Sequence, residues 1–166
     1  MEKRRNAMRR RESINFLNSK EIKELNKNLE ESYGIKVPKE FAYLRIKKNK
    51  IHIINRDVEK LNLDSLKSDR MGMYLCTEDK IGIRLSIEGS QMFSHKIKNK
   101  IEISARQEKE WIFGKDLELS EDQLSDKESG TIYVVHHNND FCGSGFLKGN
   151  VLKNFVPKER RISSLD

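Results

Sequence analysis

The chain has 166 residues, a formal net charge of +7 and 36% charged residues. That length holds one ordinary domain or two very small ones, since single domains mostly run to roughly 100–150 residues. No stretch approaches the run of about 20 apolar residues a membrane span requires, and no apolar segment of about 7–15 residues follows the basic start, so neither a membrane protein nor a secretory leader is expected.

Residues 1–11, MEKRRNAMRRR, hold six cations and one acid. They read as a flexible basic arm in which Arg4, Arg5, Arg9, Arg10 and Arg11 neutralise phosphates. Asn18 followed by Glu21 is a capping-box start, and Ile22, Leu25, Leu29 and Tyr33 recur at spacings of three and four before Gly34. The spacing predicts an amphipathic helix of about four turns. Val37-Pro38 interrupts it. Two β-branched and aromatic runs at 41–46 and 51–54 then flank a basic tip at 47–50, a strand–turn–strand pattern. Short helical turns are expected at 57–66, then a second strand pair, 71–76 and 81–87, joined by a turn at 77–80. This first half reads as a small α+β layer.

Gly89-Ser90 opens a change of character. A brief strand at 101–103 leads into a helix over 105–113, closed by Gly114. Residues 120–129 are polar and aperiodic and read as an exposed loop. From 131 to 156 strands dominate: an apolar run at 131–135, a turn at Asn138-Asn139-Asp140, an extended segment broken up by Gly143 and Gly145, and a second turn at Lys148-Gly149-Asn150. These are the ingredients of a small mixed β-barrel. Lys148, Lys153, Lys158, Arg160 and Arg161 recur along the last strand and its exit, where they would follow a phosphate backbone. The same lysines would also guard an exposed strand edge against pairing with other chains. Basic clusters at both ends favour a polyanionic partner, with nucleic acid the leading candidate.

The C-terminal half resembles a PUA domain over about seventy positions. Gly143-Ser144-Gly145, Gly149, Lys153-Asn154 and Pro157-Lys158 are similar to the pattern in the PUA-like tail of the Sun/Fmu-type rRNA cytosine-C5 methyltransferases, here without the catalytic domain. The full order resembles the 60S ribosome-biogenesis factors that place an α/β pre-PUA domain before a PUA domain. The matching segments there are 41–54, 84–89 and 111–116. Beyond the basic arm at 1–11, which departs from the biogenesis-factor pattern, the resemblance implies an α+β protein: a pre-PUA-like domain at 12–92, a PUA-like pseudo-barrel at 93–161 and a tail at 162–166. It also implies that RNA lies where Gly114 and Lys115 face Lys148, Lys153 and Lys158, with Asn154, Arg160 and Arg161 completing the RNA-binding set. A glycine there lets the backbone approach a ribose or phosphate, although an ordinary helix cap is the better explanation of Gly114 taken alone, and its value comes from Lys115 beside it.

Other chemistries fit poorly. The spacing of Gly143, Gly145 and Gly149 is loosely that of a dinucleotide loop, but a strand and turn follow where a helix N-terminus is needed. Cys76 and Cys142 read as reduced, buried thiols, and neither has the context of a methyltransferase nucleophile. His136-His137 on one strand point to opposite faces, so no metal site is expected there, and Trp111 reads as core. The expectation is therefore a non-catalytic, cytoplasmic RNA-binding protein without cofactor or metal, which docks on structured RNA such as rRNA or tRNA and not on DNA or membranes. It would act in ribosome biogenesis or RNA modification, beside an assembly or modification protein. The alternative is a detached recognition subunit of a separately encoded methyltransferase or pseudouridine synthase.

Overall fold

The computed structural model describes residues 14–47, 49–60 and 71–163. The arm at 1–11, the end of the tail and the later part of the stretch expected to be helical at 57–66 lie outside them. The first sheet is a five-stranded antiparallel meander in chain order: β1 (Asn15–Phe16), β2 (Phe41–Ile46), β3 (Lys50–Asn55), β4 (Met73–Asp79) and β5 (Gly82–Leu85). Helix α1 (Ser19–Tyr33) packs Leu25, Leu29 and Tyr33 against Tyr43, Ile51 and Ile53 on one face of it. The helix starts on the expected capping box. Asn18 Oδ1 accepts from the Glu21 amide at 3.0 Å, while Glu21 Oε2 accepts from the Asn18 amide at 2.9 Å.

The second sheet has the order β6-β8-β9-β10-β7, built from β6 (Lys100–Glu102), β7 (Leu117–Glu118), β8 (Ile132–His137), β9 (Asp140–Lys148) and β10 (Val151–Asn154). Strand β6 runs parallel to β8, and the other pairs are antiparallel. Three short helices accompany it: α2 (Ile87–Met92), α3 (Ala105–Ile112) and α4 (Glu121–Leu124). The whole is a mixed α+β fold whose second part is a PUA-like pseudo-barrel.

Strand β8 explains how the two sheets join. Tyr133 and Val135 face the barrel core with Trp111, Leu147 and Leu152. Ile132 and Val134 face the other way, into a core shared with α1 and the first sheet. Alternate side chains on a strand point to opposite faces, so both sides of this sheet are covered, and the sequence reads as an unbroken apolar run.

Several elements differ from the expectation. Strand β4 continues through Asp79, so the turn falls at Lys80-Ile81 and not at 77–80. Strand β5 ends at Leu85, because Ser86 caps α2 by accepting from the Gly89 amide at 2.9 Å. The stretch at 120–129 is not wholly loop: Ser120 and Gln123 form a capping box that starts the single turn of α4. Gly143 and Gly145 do not interrupt β9. Gly143, at φ +86°, provides the extra residue of a β-bulge opposite β8, and the strand runs on through it. The two-residue strands β1 and β7 carry too little periodicity to be foreseen.

Candidate nucleic-acid interface

The end of α3 is where most of the expected residues meet. Ser104 and Gln107 cap its start reciprocally, and its last turn lays Trp111 fully inside the barrel with Nε1 donating to the Cys142 carbonyl at 3.0 Å. Gly145 lets the ring in. A Cβ there would stand 2.7 Å from Trp111 Cη2 and 2.9 Å from the Lys153 carbonyl oxygen. The chain leaves the helix through Gly114 at φ +84°, a left-handed conformation in which a side chain is strained. Lys115 follows, exposed to solvent.

Strand β10 is fastened to this helix end by Asn154. Its side-chain amide donates to the carbonyls of Trp111 at 2.8 Å and Lys115 at 3.1 Å, its side-chain oxygen accepts from the Val156 amide at 2.8 Å, and its own amide donates to Asp116 at 2.8 Å. Asn154 is thus committed to the fold. Lys153 forms an ion pair with Asp116 at 2.8 Å. The hydrogen bond from Lys153, with that from the Asn154 amide, holds the Asp116 carboxyl below the ordinary value of 3.8. Arg161 lies over Gly114, so that a Cβ on Gly114 would fall 2.3 Å from its Cδ, and its Nε donates to the Val156 carbonyl at 2.9 Å. Gly114, Lys115, Lys153, Asn154 and Arg161 therefore converge, but three of the five already have partners inside the protein.

The remaining cations spread outward. Lys158 and Arg160 sit on a 3-10 turn (Lys158–Arg160) beyond β10, with Arg160 paired to Glu88 of α2. Lys148 stands at the opposite end of the β9–β10 hairpin, across from Val151, about 10 Å along the strand from Asn154. Lys115, Lys148 and Lys158 are exposed, and none forms an ion pair among the described residues. Adjoining this cluster a hollow is lined by Glu110, Glu118 and Asp116, the carboxylate that pairs with Lys153, beside Arg106. A polyanion would be repelled there, which confines any phosphate track to the side of Lys115, Arg161 and Lys158. Arg4, Arg5, Arg9, Arg10 and Arg11 lie outside the described residues.

A second set of residues was not picked out from sequence. Where the two sheets meet, Lys50, Tyr74 and Arg84 of the first face Ser144 of β9 and the segment of Phe155 and Pro157. Arg84 belonged to a segment recognised by resemblance, but its only sequence signal was a cation in an apolar strand. The adjacent pair His136 and His137 have structural partners: His136 Nδ1 donates to the Asn138 carbonyl at 3.0 Å, and His137 Nδ1 to the Ile103 carbonyl at 2.8 Å. Among the described residues no group of three or more His, Cys, Asp or Glu side chains is placed to hold a metal ion, and no helix is long and apolar enough to cross a membrane. Both thiols are buried, and desolvation raises them, Cys142 to about 12 and Cys76 further.

The second sheet and its helices define a class: a PUA-like domain. The family model described as the Methyltransferase RsmF PUA domain matches residues 98–162. The chain is also similar to Ribosomal RNA small subunit methyltransferase F of two strains of Vibrio cholerae serotype O1, at 27% identity over 147 residues in each. That similarity covers 88% of this chain and 30% of each relative, so the chain spans less than a third of the length of the curated relatives it matches. The resemblance to the PUA-like tail of the Sun/Fmu-type enzymes thus holds. The aligned stretch is more than twice as long as the PUA match, so it takes in the first sheet as well.

Proposed function

We propose that this protein binds structured RNA, ribosomal RNA or its precursor, and that it does so without catalysis of its own, in ribosome biogenesis or RNA modification. The relatives are by name methyltransferases of small-subunit ribosomal RNA, which makes that RNA the first to test. The observation that carries the reading is the convergence of Gly114, Lys115, Lys153 and Arg161 at the end of α3 within a segment similar to an rRNA methyltransferase PUA domain. Folded RNA is read largely by shape, phosphate and 2′-hydroxyl contacts, and exposed lysines beside a glycine-closed helix end provide such contacts with little base preference. In support of a non-catalytic role, methyl transfer of the Sun/Fmu type needs a thiolate, and both thiols here are buried and held protonated.

Crosslinking in cells tests this directly. Peptides from 110–116 and 148–161 joined to ribosomal RNA are the expected result, and crosslinks confined to other parts of the chain would refute the assignment. The domain division at 92/93 is part of the same proposal, with the first unit positioning the second.

The similarity to a methyltransferase favours a second reading, in which the chain serves as the recognition subunit of a separately encoded RNA-modifying enzyme. Co-purification with such an enzyme supports it. Co-sedimentation with a precursor ribosomal particle, without one, supports the first.

A further inference from the structure

The seam between the sheets holds a crevice of about 210 Å³. One wall is aromatic and cationic at once. The Arg84 guanidinium carbon stands 4.4 Å from the Phe155 ring centroid, and Lys50 Nζ stands 5.3 Å from that of Tyr74. Arg84 is tethered through Nη2 to Asp79, yet its Nε–H is buried and finds no acceptor in the protein among the described residues. That nitrogen has no accessible surface, so an arriving group meets the rest of the Arg84 side chain, which is 26% exposed, and not this donor. Lys50 is held only loosely, with Glu159 at 4.0 Å.

Size and chemistry together narrow the occupant. The volume is below the roughly 300–1,000 Å³ of pockets that enclose a whole cofactor. It suits one flat ring whose ribose and phosphate stay outside. A guanidinium packed on an aromatic ring is a flat platform on which a base stacks, and unpaired RNA bases are held in this way by Arg, Phe and Tyr. Location adds a second argument. Pro157 borders the crevice and is followed at once by exposed Lys158, so a phosphate track past the 3-10 turn runs to its mouth.

We propose that this crevice takes one unpaired nucleotide extruded from the bound RNA, with its base against the Arg84 guanidinium that lies on Phe155 and its phosphate on Lys50. The proposal rests on the RNA-binding reading above. It makes the protein a reader of bulged or looped sites in preference to continuous duplex, because extrusion costs least where a base is already unpaired.

The test uses the full chain and two RNA hairpins with the same stem, one carrying a single 4-thiouridine bulge. The bulged hairpin is expected to bind about tenfold tighter, a factor within the range of one stacked base, and to crosslink to peptides containing Tyr74 or Phe155. Lys50→Gln and Arg84→Gln should each reduce that preference to less than about twofold while leaving affinity for the paired hairpin unchanged. Lys50→Gln guards against misfolding, because among the described residues its side chain reaches only the crevice and Glu159. Equal affinity of the native protein for the two hairpins, or a Lys50→Gln variant weakened equally on both, overturns the proposal while leaving RNA binding intact. If neither hairpin binds at low salt, the RNA-binding reading fails and the proposal falls with it.

Discussion

The end of α3 and the seam between the sheets are both lined by cations, but they use them differently. At the α3 end Lys153 is matched by Asp116 and Arg161 by the Val156 carbonyl, while Asn154 has no polar group to spare. At the seam, among the described residues, Arg84 is paired with Asp79 but keeps one N–H without an acceptor, and Lys50 has one distant ion-pair partner. Two regions with similar charge thus differ in what they have left to give. Regular spacing of lysines in a sequence reports a charged face, and only the fold reports which of those charges are already used.

The largest expected effect is shared by both regions, because Trp111 and Gly145 lie under the sheet that joins them. Trp111→Ala should lower unfolding free energy by about 3–5 kcal/mol in urea titration, and RNA affinity should then fall with the folded fraction alone. Loss of affinity at full stability would mean that Trp111 contacts the ligand instead. Asn154→Ala comes next and separates the regions. It leaves the Lys115 carbonyl and the Val156 amide without partners and removes one of the bonds to the Trp111 carbonyl, which should cost about 1–3 kcal/mol and loosen the α3 end, whereas the preference for a bulged RNA, set at the seam, should persist. Smaller still is Asp116→Asn, which keeps an acceptor for the Asn154 amide but frees Lys153. RNA binding should tighten a few-fold, and the slope of log affinity against log salt should steepen by about 0.7–0.9, the contribution of one further neutralised phosphate. The same carboxyl has a pH signature. Its folded pKa is depressed, so its stabilisation is present above 3.8 and is lost as the pH falls through the lowered folded value. With both partners nearly half exposed, the acid loss should be about 1 kcal/mol or less, and absent from the Asn variant.

How much of this is legible in the sequence depends on the distance over which each feature is decided. Helices α1 and α3 are encoded locally, by periodic apolar residues and a closing glycine, and both could be read directly. Helix α4 was legible too, through the same Ser-x-x-Gln box that starts α3, but its single turn lacks the apolar repeat that draws attention. The ends of β4 and β5 depend on pairing and on the Ser86 cap, and they shifted by a few residues. The cluster at Gly114 was accessible through the order of motifs. The partners of Lys153 and Asn154 at the end of α3 were not, because they come from residues 37 to 43 positions away that only folding brings together. The seam crevice was the least visible part, since its walls come from both sheets.

The account depends most on Lys115, Lys148 and Lys158 being the exposed cations that meet phosphate. The most direct test is the salt dependence of binding to a small-subunit ribosomal RNA fragment, comparing the native chain with the triple Lys115→Gln, Lys148→Gln, Lys158→Gln variant. Three lost phosphate contacts should reduce the slope of log affinity against log salt by about 2–3, with an unchanged melting temperature. An identical slope in the two proteins would contradict the account.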